Sequence, residues 1–333
     1  MASTSFNRAQ FIEKLTSTSK VDFEEKALRL FQYQATHNPI YSAYMASLGK
    51  DTKAIQEVTQ IPFLPIEFFK SHQVITGTRT TNEKVFESSG TTGKQTSRHY
   101  VQALSLYDKV SQAFFEEIYG SVHDYHILAL LPSYLERDSS SLVHMVAHFI
   151  KQSGEGGFYL HDQQALIDQV ALLKKNTTSK ILVIGVTFAL LDIAQTYQPD
   201  WRGVIVMETG GMKGRRKEIT REEVHHILKT HLNITQVHSE YGMTELLSQA
   251  YAPKEGHFYL PQWTCIYLRD INDPFSLHTQ RQSGGINMID LANIDSCAFI
   301  ETKDIGRWTA NGALEILGRI DNTDIRGCSL LTF

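Results

Sequence analysis

The chain lacks a long hydrophobic run, an excess of basic charge and a set of cysteines that could pair in disulfides. No apolar stretch in its 333 residues approaches the roughly 18–20 residues that a transmembrane helix needs. Its start has no basic-then-apolar signal pattern. The formal net charge of −4 argues against a polybasic nucleic-acid or membrane binder. We expect a protein with no membrane span and no nucleic-acid partner.

Cysteine is scarce, and its placement favours a reducing compartment. The three cysteines are Cys265, Cys297 and Cys328, and they form neither a CxxC pair nor an even set for disulfides. A cytoplasmic location is the simplest expectation. Cys265 and Cys297 lie in apolar strand patterns and are expected to be small buried hydrophobic residues.

Hydrophobic periodicity predicts an α/β protein. Near the start, apolar residues share one face of a helix that ends near Asn38-Pro39. From residue 126 onward, short apolar runs alternate with helical patterns, which is typical of βαβ units and a mostly parallel sheet covered by helices. The predicted strands are His126–Leu131, Gly157–Leu160, Ile181–Val186, Gly203–Met207 and Thr235–His238. The predicted helices between them are Leu142–Ile150, Gln163–Lys174, Phe188–Gln198 and Arg221–His231.

The last third of the chain has a different pattern. Short strand-like runs separated by turns indicate a small antiparallel sheet or barrel. These runs are Trp263–Leu268, Gly285–Ile289, Ser296–Ile300 and Gly312–Ile316. No low-complexity linker or repeat separates them from the rest, so a single elaborated domain is the expectation.

The loop from Ser88 to Lys94 has the composition of a phosphate-binding segment. It reads S-S-G-T-T-G-K, in which glycines allow close backbone approach, hydroxyls and amides donate to oxygens, and the lysine supplies a positive charge. It is not a Walker A motif, because Gln95 follows Lys94 where serine or threonine is required. A nucleotide is the first candidate ligand, and a flexible surface loop is the alternative.

Two predicted strands end in residues suited to a ligand. Because ligands bind at the carboxyl ends of strands in open α/β sheets, both ends are candidates. One continues into E-T-G-G from Glu208, where the glutamate could accept from an exocyclic amine. The other continues into Y-G-M-T-E, where Tyr241 could stack on a base and Glu245 could ligate Mg²⁺. Ordinary strand-to-helix turns would explain both segments as well.

The histidines carry less information. His225, His226 and His231 have no metal-binding spacing and are expected at the surface. His238 precedes the Tyr-Gly pair, and either a core position or a place near the substrate carboxylate would suit it.

Four short motifs occur in the order S-S-G-T-T-G-K, Y-G-M-T-E, T-K-D-I-G and G-R-I-D. In this order and spacing the chain, from about Ile61 onward, resembles the adenylate-forming superfamily of acyl-activating enzymes. The run E-T-G-G-M-K-G-R-R and the ending R-G-C-S-L-L make it similar to the LuxE-type acyl-protein synthetases within that superfamily. These enzymes activate a fatty acid and hold it on their own cysteine.

The resemblance implies a fold, a domain division and a set of roles. It implies the α/β large domain of adenylate-forming enzymes over residues 1–318, and a hinge-like tail over residues 319–333. It implies ATP and Mg²⁺, with Lys94, Glu245 and Cys328 catalytic and Glu245 on the metal. The residues that it places on the nucleotide are Ser88, Ser89, Gly90, Thr91, Thr92, Gly93, Glu208, Thr209, Gly210, Gly211, Tyr241, Gly242, Thr244, Asp304 and Arg319.

The chain also departs from the superfamily pattern. Most members continue past G-R-x-D into a small mobile domain with a charge-stabilising lysine, and we expect this chain to lack both. Asp324 lies near where the hinge usually carries a lysine. The expected reaction is therefore formation of acyl-AMP, transfer to Cys328, and passage to a partner such as a reductase or carrier protein. Arg326 would favour the thiolate of Cys328.

Three other functions stay open at this point. The chain could transfer the acyl group to CoA or to a carrier protein, or it could be a non-catalytic nucleotide- or acyl-binding protein. A serine hydrolase is disfavoured, because Val237 and Tyr241 flank Ser239 where G-x-S-x-G requires glycines.

Overall fold

The structure is a computed structural model that describes residues 6–78, 83–88, 95–131, 139–159, 162–210, 219–278 and 283–320. The chain divides into two compact units. Unit 1 combines residues 1–80 with residues 262–333, and unit 2 comprises residues 81–261.

The elements alternate between helix and strand through unit 2 and become all-β at the end of the chain. The helices are α1 (Arg8–Glu13), α2 (Lys20–His37), α3 (Pro39–Ser47), α4 (Phe68–Ser71), α5 (Leu104–Tyr119), α6 (Ser141–Ser153), α7 (Gln163–Asn176), α8 (Thr187–Thr196) and α9 (Arg221–Leu232). The strands are β1 (Leu64–Pro65), β2 (Lys84–Glu87), β3 (Arg98–Val101), β4 (Tyr125–Leu130), β5 (Gly156–Phe158), β6 (Lys180–Val186), β7 (Ile205–Thr209), β8 (His238–Tyr241), β9 (Ala250–Ala252), β10 (Thr264–Arg269), β11 (Ser283–Asp290), β12 (Phe299–Trp308) and β13 (Leu314–Arg319).

Unit 2 is built on a mostly parallel sheet in the order β5-β4-β6-β7-β8-β9. The neighbours from β5 to β8 are parallel, and β9 is antiparallel to β8. The central strands β4 and β6 are buried almost throughout, as expected for parallel strands that helices cover on both faces. Strands β2 and β3 form a separate antiparallel hairpin.

Helix α9 begins and ends where its sequence predicts. Thr220 and Glu223 form a capping box at its start, which satisfies two backbone N–H groups. Asn233 takes the left-handed conformation at its end, with φ of 56°. Val224, Leu228 and Leu232 are buried on one face of α9.

Unit 1 holds an antiparallel sheet of β10, β11, β12 and β13, with β1 parallel to β12. Strand β12 is long enough for β1 and β13 to pair with different halves of the same edge. An aromatic cluster packs on this sheet, in which the ring centroid of Phe299 lies 5.9 Å from Phe31 and 6.1 Å from Tyr41. The core of unit 1 therefore joins helices α2 and α3 to the late strands.

The α/β class and the late antiparallel sheet are confirmed, and two strand positions were wrong. The predicted strand Thr235–His238 lies at His238–Tyr241, so the buried polar pair Ser239-Glu240 is inside β8. The predicted strand Ser296–Ile300 lies at Phe299–Trp308 and includes the T-K-D-I-G motif. Both errors arose because buried polar residues interrupt the apolar pattern that marks a strand.

The predicted boundary between residues 318 and 319 stays a prediction. Gly318 and Arg319 continue strand β13, while residues 321–333 lie outside the described residues. Among the helices that the structure describes, none is both long and apolar enough to cross a bilayer.

Gln34 should be a stability determinant of unit 1. Its Nε2 donates to the carbonyl of Asn293 at 2.8 Å, and its Oε1 accepts from the N–H of Ala298 at 2.9 Å. The side chain is fully buried, so Gln34→Leu leaves backbone groups without partners. We expect a loss of about 2–4 kcal/mol in the free energy of unfolding, measured by urea titration.

The matched control is Gln32→Leu on the same helix. Gln32 is only partly buried and makes one bond, from Nε2 to the carbonyl of Thr52 at 2.8 Å. An equal loss in both variants would show that the buried bonds of Gln34 have no special weight.

Candidate functional site

The adjacent carboxyl ends of β7 and β8 each carry one buried glutamate. Glu208 pairs in register with Ser239, and Thr209 with Glu240. Because successive side chains in a strand point to opposite faces, Glu208 and Glu240 lie on opposite faces of the sheet. Both residues are only 7 % exposed. Each carboxyl group therefore depends on the partners that its own face provides.

Glu208 faces helices α8 and α9. Its Oε2 accepts from the hydroxyl of Thr187 at 2.7 Å, and its Oε1 lies 3.8 Å from Arg221 Nε and 3.9 Å from His225 Nε2. Burial acts to raise the pKa of Glu208, but His225, Arg221, Thr187 and Ser239 together outweigh it and lower the pKa. Glu208 is thus a charged group held by an internal network.

The same network fixes the turn after β7. The Thr187 hydroxyl also lies 2.5 Å from the carbonyl oxygen of Gly210. Since both Glu208 oxygens already face protein partners, its predicted contact with adenine stays a prediction. Thr209 is 3 % exposed, and its hydroxyl is engaged with Glu240.

Glu240 has a poorer environment on the other face. Its Oε2 accepts from the hydroxyl of Thr209, and among the described residues it has no basic partner. Burial raises the pKa of Glu240 to about 7, Thr209 opposes the shift, and the charge of Glu208 adds to it. A carboxyl group that is partly protonated at neutral pH therefore lies at a strand end, where ligands bind in such sheets.

The Y-G-M-T-E segment follows Glu240 directly. Tyr241 is half-buried, and its ring centroid lies 6.1 Å from that of Phe258. Gly242 is exposed, and Glu245 is 6 % exposed. The carbonyl of Thr244 accepts from His99 Nδ1 at 2.9 Å, so the buried His99 of β3 holds this segment against the β2–β3 hairpin.

The same hairpin carries the predicted phosphate loop. Ser88 N donates to the carbonyl of Ser97 at 3.0 Å, and Ser97 N donates to Ser88 Oγ at 2.9 Å. This reciprocal pair closes the base of the loop, and Ser88 Oγ keeps its own proton to donate. Ser89, Gly90, Thr91, Thr92, Gly93 and Lys94 lie outside the described residues, as do Gly211 and Cys328.

In unit 1, the structure brings together Asp304 of β12 and Arg319 of β13. The two residues are cross-strand partners, and Arg319 Nε lies 3.2 Å from Asp304 Oδ1. The Asp304 side chain is 8 % exposed and that of Arg319 is 65 % exposed. The two residues predicted on the ribose thus form one ion pair at the surface of unit 1.

Sequence reasoning missed several buried polar residues. His225 was expected at the surface and is 7 % exposed, with its Nε2 3.5 Å from Ser239 Oγ. The helical spacing of His225 to Leu228 and Leu232 was a signal that could have shown this. His238 is partly buried beside Tyr119, whose hydroxyl lies 3.3 Å from Nδ1, and burial lowers the pKa of His238 to about 4.

The two described cysteines are poor nucleophiles. Cys297 is fully buried, and burial raises the pKa of its thiol to about 12. Burial also raises the pKa of Cys265. Because the thiolate is the reactive form, neither position favours acyl transfer.

The described residues contain no group of three or more His, Cys, Asp or Glu side chains that could hold a metal ion. Because Mg²⁺ commonly takes one or two carboxylates together with substrate phosphates, a cluster of three is not required, and the metal role of Glu245 stays a prediction.

Known structures share this fold. A 2-hydroxyisobutyryl-CoA ligase in complex with 2-HIB-AMP and CoA, in the thioesterification state, superposes with a TM-score of 0.68 and 12% identity, covering 95% of this chain and 70% of that one. Its open conformation gives 0.66 at 10% identity, covering 97% and 81%. ATP-bound MatB from Rhodopseudomonas palustris gives 0.55 at 15% identity, covering 73% and 50%, so the match spans half the length of MatB.

These likenesses define the class: the chain has the fold of adenylate-forming ligases. The family profile described as acyl-protein synthetase, LuxE, matches residues 15–332. The chain therefore belongs to the LuxE acyl-protein synthetase family, and the resemblance inferred from the E-T-G-G-M-K-G-R-R run and the R-G-C-S-L-L ending is confirmed. No curated protein matches the sequence.

The pKa of Glu240 predicts a pH-dependent stability. Between its ordinary pKa of 4.5 and about 7, the folded chain keeps a proton that the unfolded chain releases. The stabilisation is complete below pH 4.5 and is lost as the pH rises through 7. Relative to Glu240→Gln, which stays neutral, the wild type should lose roughly 1–3 kcal/mol of unfolding free energy between pH 5 and 8.

Urea unfolding of both proteins at four pH values measures this difference. The control is Glu117→Gln, the same substitution at an exposed position on α5. A wild-type-to-E240Q difference that stayed constant across the range would contradict the assignment.

Proposed function

We propose that this chain activates a carboxylic acid, in particular a fatty acid, with ATP and Mg²⁺ and then carries the acyl group on Cys328. The single observation that supports this most is the family match over residues 15–332. In the reaction, the substrate carboxylate attacks the α-phosphorus of ATP, and pyrophosphate leaves as the acyl-adenylate forms. The acyl group then passes to a thiolate, AMP leaves, and a partner protein accepts the acyl group.

The geometry of unit 2 supports an ATP site at the strand ends. The β2–β3 hairpin ends in the Ser88–Ser97 closure, and His99 of the same hairpin contacts the carbonyl of Thr244. One rigid hairpin therefore carries the base of the predicted phosphate loop and holds the segment of the predicted metal ligand. Such positioning is most of what a phosphoryl-type transfer requires of a protein.

The residues of this chain have distinct parts in the proposal. Lys94 and the hydroxyls of the loop would neutralise phosphate charge, and Thr244 would add a hydroxyl. Glu245 would hold Mg²⁺, which supplies charge neutralisation at the phosphates when bound. Asp304 and Arg319 would contact the ribose hydroxyls, and Tyr241 with Gly242 would border the base or the acyl group.

Elimination supports Cys328 as the acyl carrier. The chain has three cysteines, and burial raises the thiol pKa of Cys265 and of Cys297. Cys328 has Arg326 two residues before it, and a neighbouring cation favours the thiolate. We infer that the chain is a soluble, cytoplasmic protein that transfers its acyl group to a protein acceptor such as a reductase or carrier protein.

Lys94→Ala should lower adenylate formation without unfolding the protein. Loss of one preorganised donor to a developing anion typically costs about 10²–10³ in rate. ATP–pyrophosphate exchange with a panel of carboxylic acids measures this step, and circular dichroism checks the fold. Lys84→Ala on the neighbouring strand β2 is the control. Exchange that is unchanged in the Lys94 variant would remove the loop from the site.

Cys328→Ala should separate the two half-reactions. We expect this variant to retain pyrophosphate exchange. It should lose the covalent label, stable at low pH, that a radioactive carboxylic acid substrate leaves on the wild-type chain. Cys265→Ala is the matched control and should keep both. Full labelling of the Cys328 variant would show that another residue holds the acyl group and would overturn this assignment.

A further inference from the structure

Two acceptor atoms of buried side chains lie beside the Tyr241–Glu245 segment, and one of them has no hydrogen-bond donor among the described residues. Glu240 Oε2 accepts from Thr209, which leaves Oε1 as the oxygen that faces Gly242. Gln249 is 6 % exposed, and its Oε1 is buried without a partner. The Gln249 Nε2 is 3.4 Å from the Tyr107 hydroxyl and 3.4 Å from the carbonyl of Leu247, so the amide nitrogen faces away from the unpaired oxygen.

Gly242 leaves this acceptor pair uncovered. A Cβ at position 242 would lie 2.6 Å from Glu240 Oε1 and 3.5 Å from Gln249 Cγ. The φ of Gly242 is outside the left-handed region, so the backbone conformation does not require glycine there. Gly242 is exposed, so its missing side chain opens a path from solvent to the carboxyl group.

Among the described residues, the surroundings of the pair offer no compensating positive charge. The groups that act on Glu240 are the hydroxyl of Thr209, the phenols of Tyr107 and Tyr251, and the carboxylate of Glu208 behind the sheet. The Tyr107 hydroxyl donates to the carbonyl of Ser141, and the Tyr251 hydroxyl points to Met145 Sδ. Neither phenol supplies a proton to the pair, and buried acceptors are costly unless a donor reaches them.

We propose that Glu240 and Gln249 form an acceptor pair, opened by Gly242, that binds an N–H or O–H donor of the substrate. The inference rests on the proposed function, because it takes the ligand to be a nucleotide or an acid in that site. Such a donor exists on the exocyclic amine of ATP and on acids with a hydroxyl or amino group. An unsubstituted alkyl acid has no such donor beyond its carboxyl group. If the donor belongs to the acid, the pair would therefore select a polar acyl chain.

Matched substrates test the proposal by ATP–pyrophosphate exchange at pH 8, because burial raises the pKa of Glu240 to about 7 and its carboxyl group is an acceptor only when ionised. One series compares ATP with purine riboside triphosphate, which lacks the amine. The other compares hexanoate with 2-hydroxyhexanoate, 6-hydroxyhexanoate and 6-aminohexanoate. A site built around a donor should prefer the donor-bearing member of one series by about 100-fold or more in kcat/KM.

Three variants connect that preference to the pair. In Glu240→Gln, the amide oxygen accepts from the Thr209 hydroxyl, so the NH₂ group lies toward Gly242. There it is itself a donor and cannot accept from a donor of the substrate. Gln249→Met removes the second acceptor, and Gly242→Ala covers both without changing a buried group. Each should reduce the preference at least about tenfold. The control is Gln112→Met, the same change on helix α5 away from the pair.

The outcomes separate this proposal from the proposed function. A preference in the nucleotide series identifies the purine amine as the donor, and one in the acid series identifies the acyl chain. Equal use of all members, or a preference that survives in all three variants, overturns the acceptor pair while leaving acyl activation intact. If no acid supports exchange, the proposed acyl activation is overturned. The acceptor pair is then tested by calorimetric binding of ATP and of purine riboside triphosphate to wild type and to G242A. Equal affinities would overturn the acceptor pair.

Discussion

The candidate site depends on one constraint, which is the burial of two carboxyl groups at adjacent strand ends. Glu208 and Glu240 lie on opposite faces of the sheet, and Thr209 connects the strands by donating to Glu240. Glu208 is stabilised as an anion by Arg221, His225 and Thr187, which ties the strand end to helices α8 and α9. Glu240 has only a hydroxyl donor, and burial leaves it partly protonated. The two glutamates therefore differ in their charge state, because their surroundings differ.

A second set of contacts brings the predicted nucleotide-binding segments of unit 2 together. The β2–β3 hairpin carries the loop base at Ser88 and Ser97, and His99 on the same strand holds the carbonyl of Thr244. A change in the hairpin would thus move both the phosphate side and the metal side of the proposed site. In unit 1, Asp304 and Arg319 form a cross-strand ion pair. The residues predicted to be functional thus lie on strands or directly after them, and a packed sheet holds such positions rigidly.

Much of the fold was predictable because apolar periodicity is a direct consequence of burial. The runs that became β4 and β6, and the apolar face of α2, were found within a residue or two. The prediction failed at β8 and β12, where Ser239, Glu240 and Asp304 are buried although they are polar. A pattern of hydrophobic residues has no way to show that a glutamate is buried when its partner is 31 residues away in the chain. The errors therefore fall at buried polar residues, and one of these, Glu240, lies in the candidate site.

The sequence by itself indicated the superfamily through four motifs in a set order, and the family through two further segments, because such motifs depend only on local composition and spacing. It also determined the residue types available for phosphate, metal and acyl chemistry. Only the tertiary structure decided which polar residues are partners and which acceptors are left without one. His225 is a buried neighbour of Glu208 rather than a surface residue, and Gln249 lies beside Glu240 and Gly242, because strand register and helix packing bring distant positions within a few ångströms.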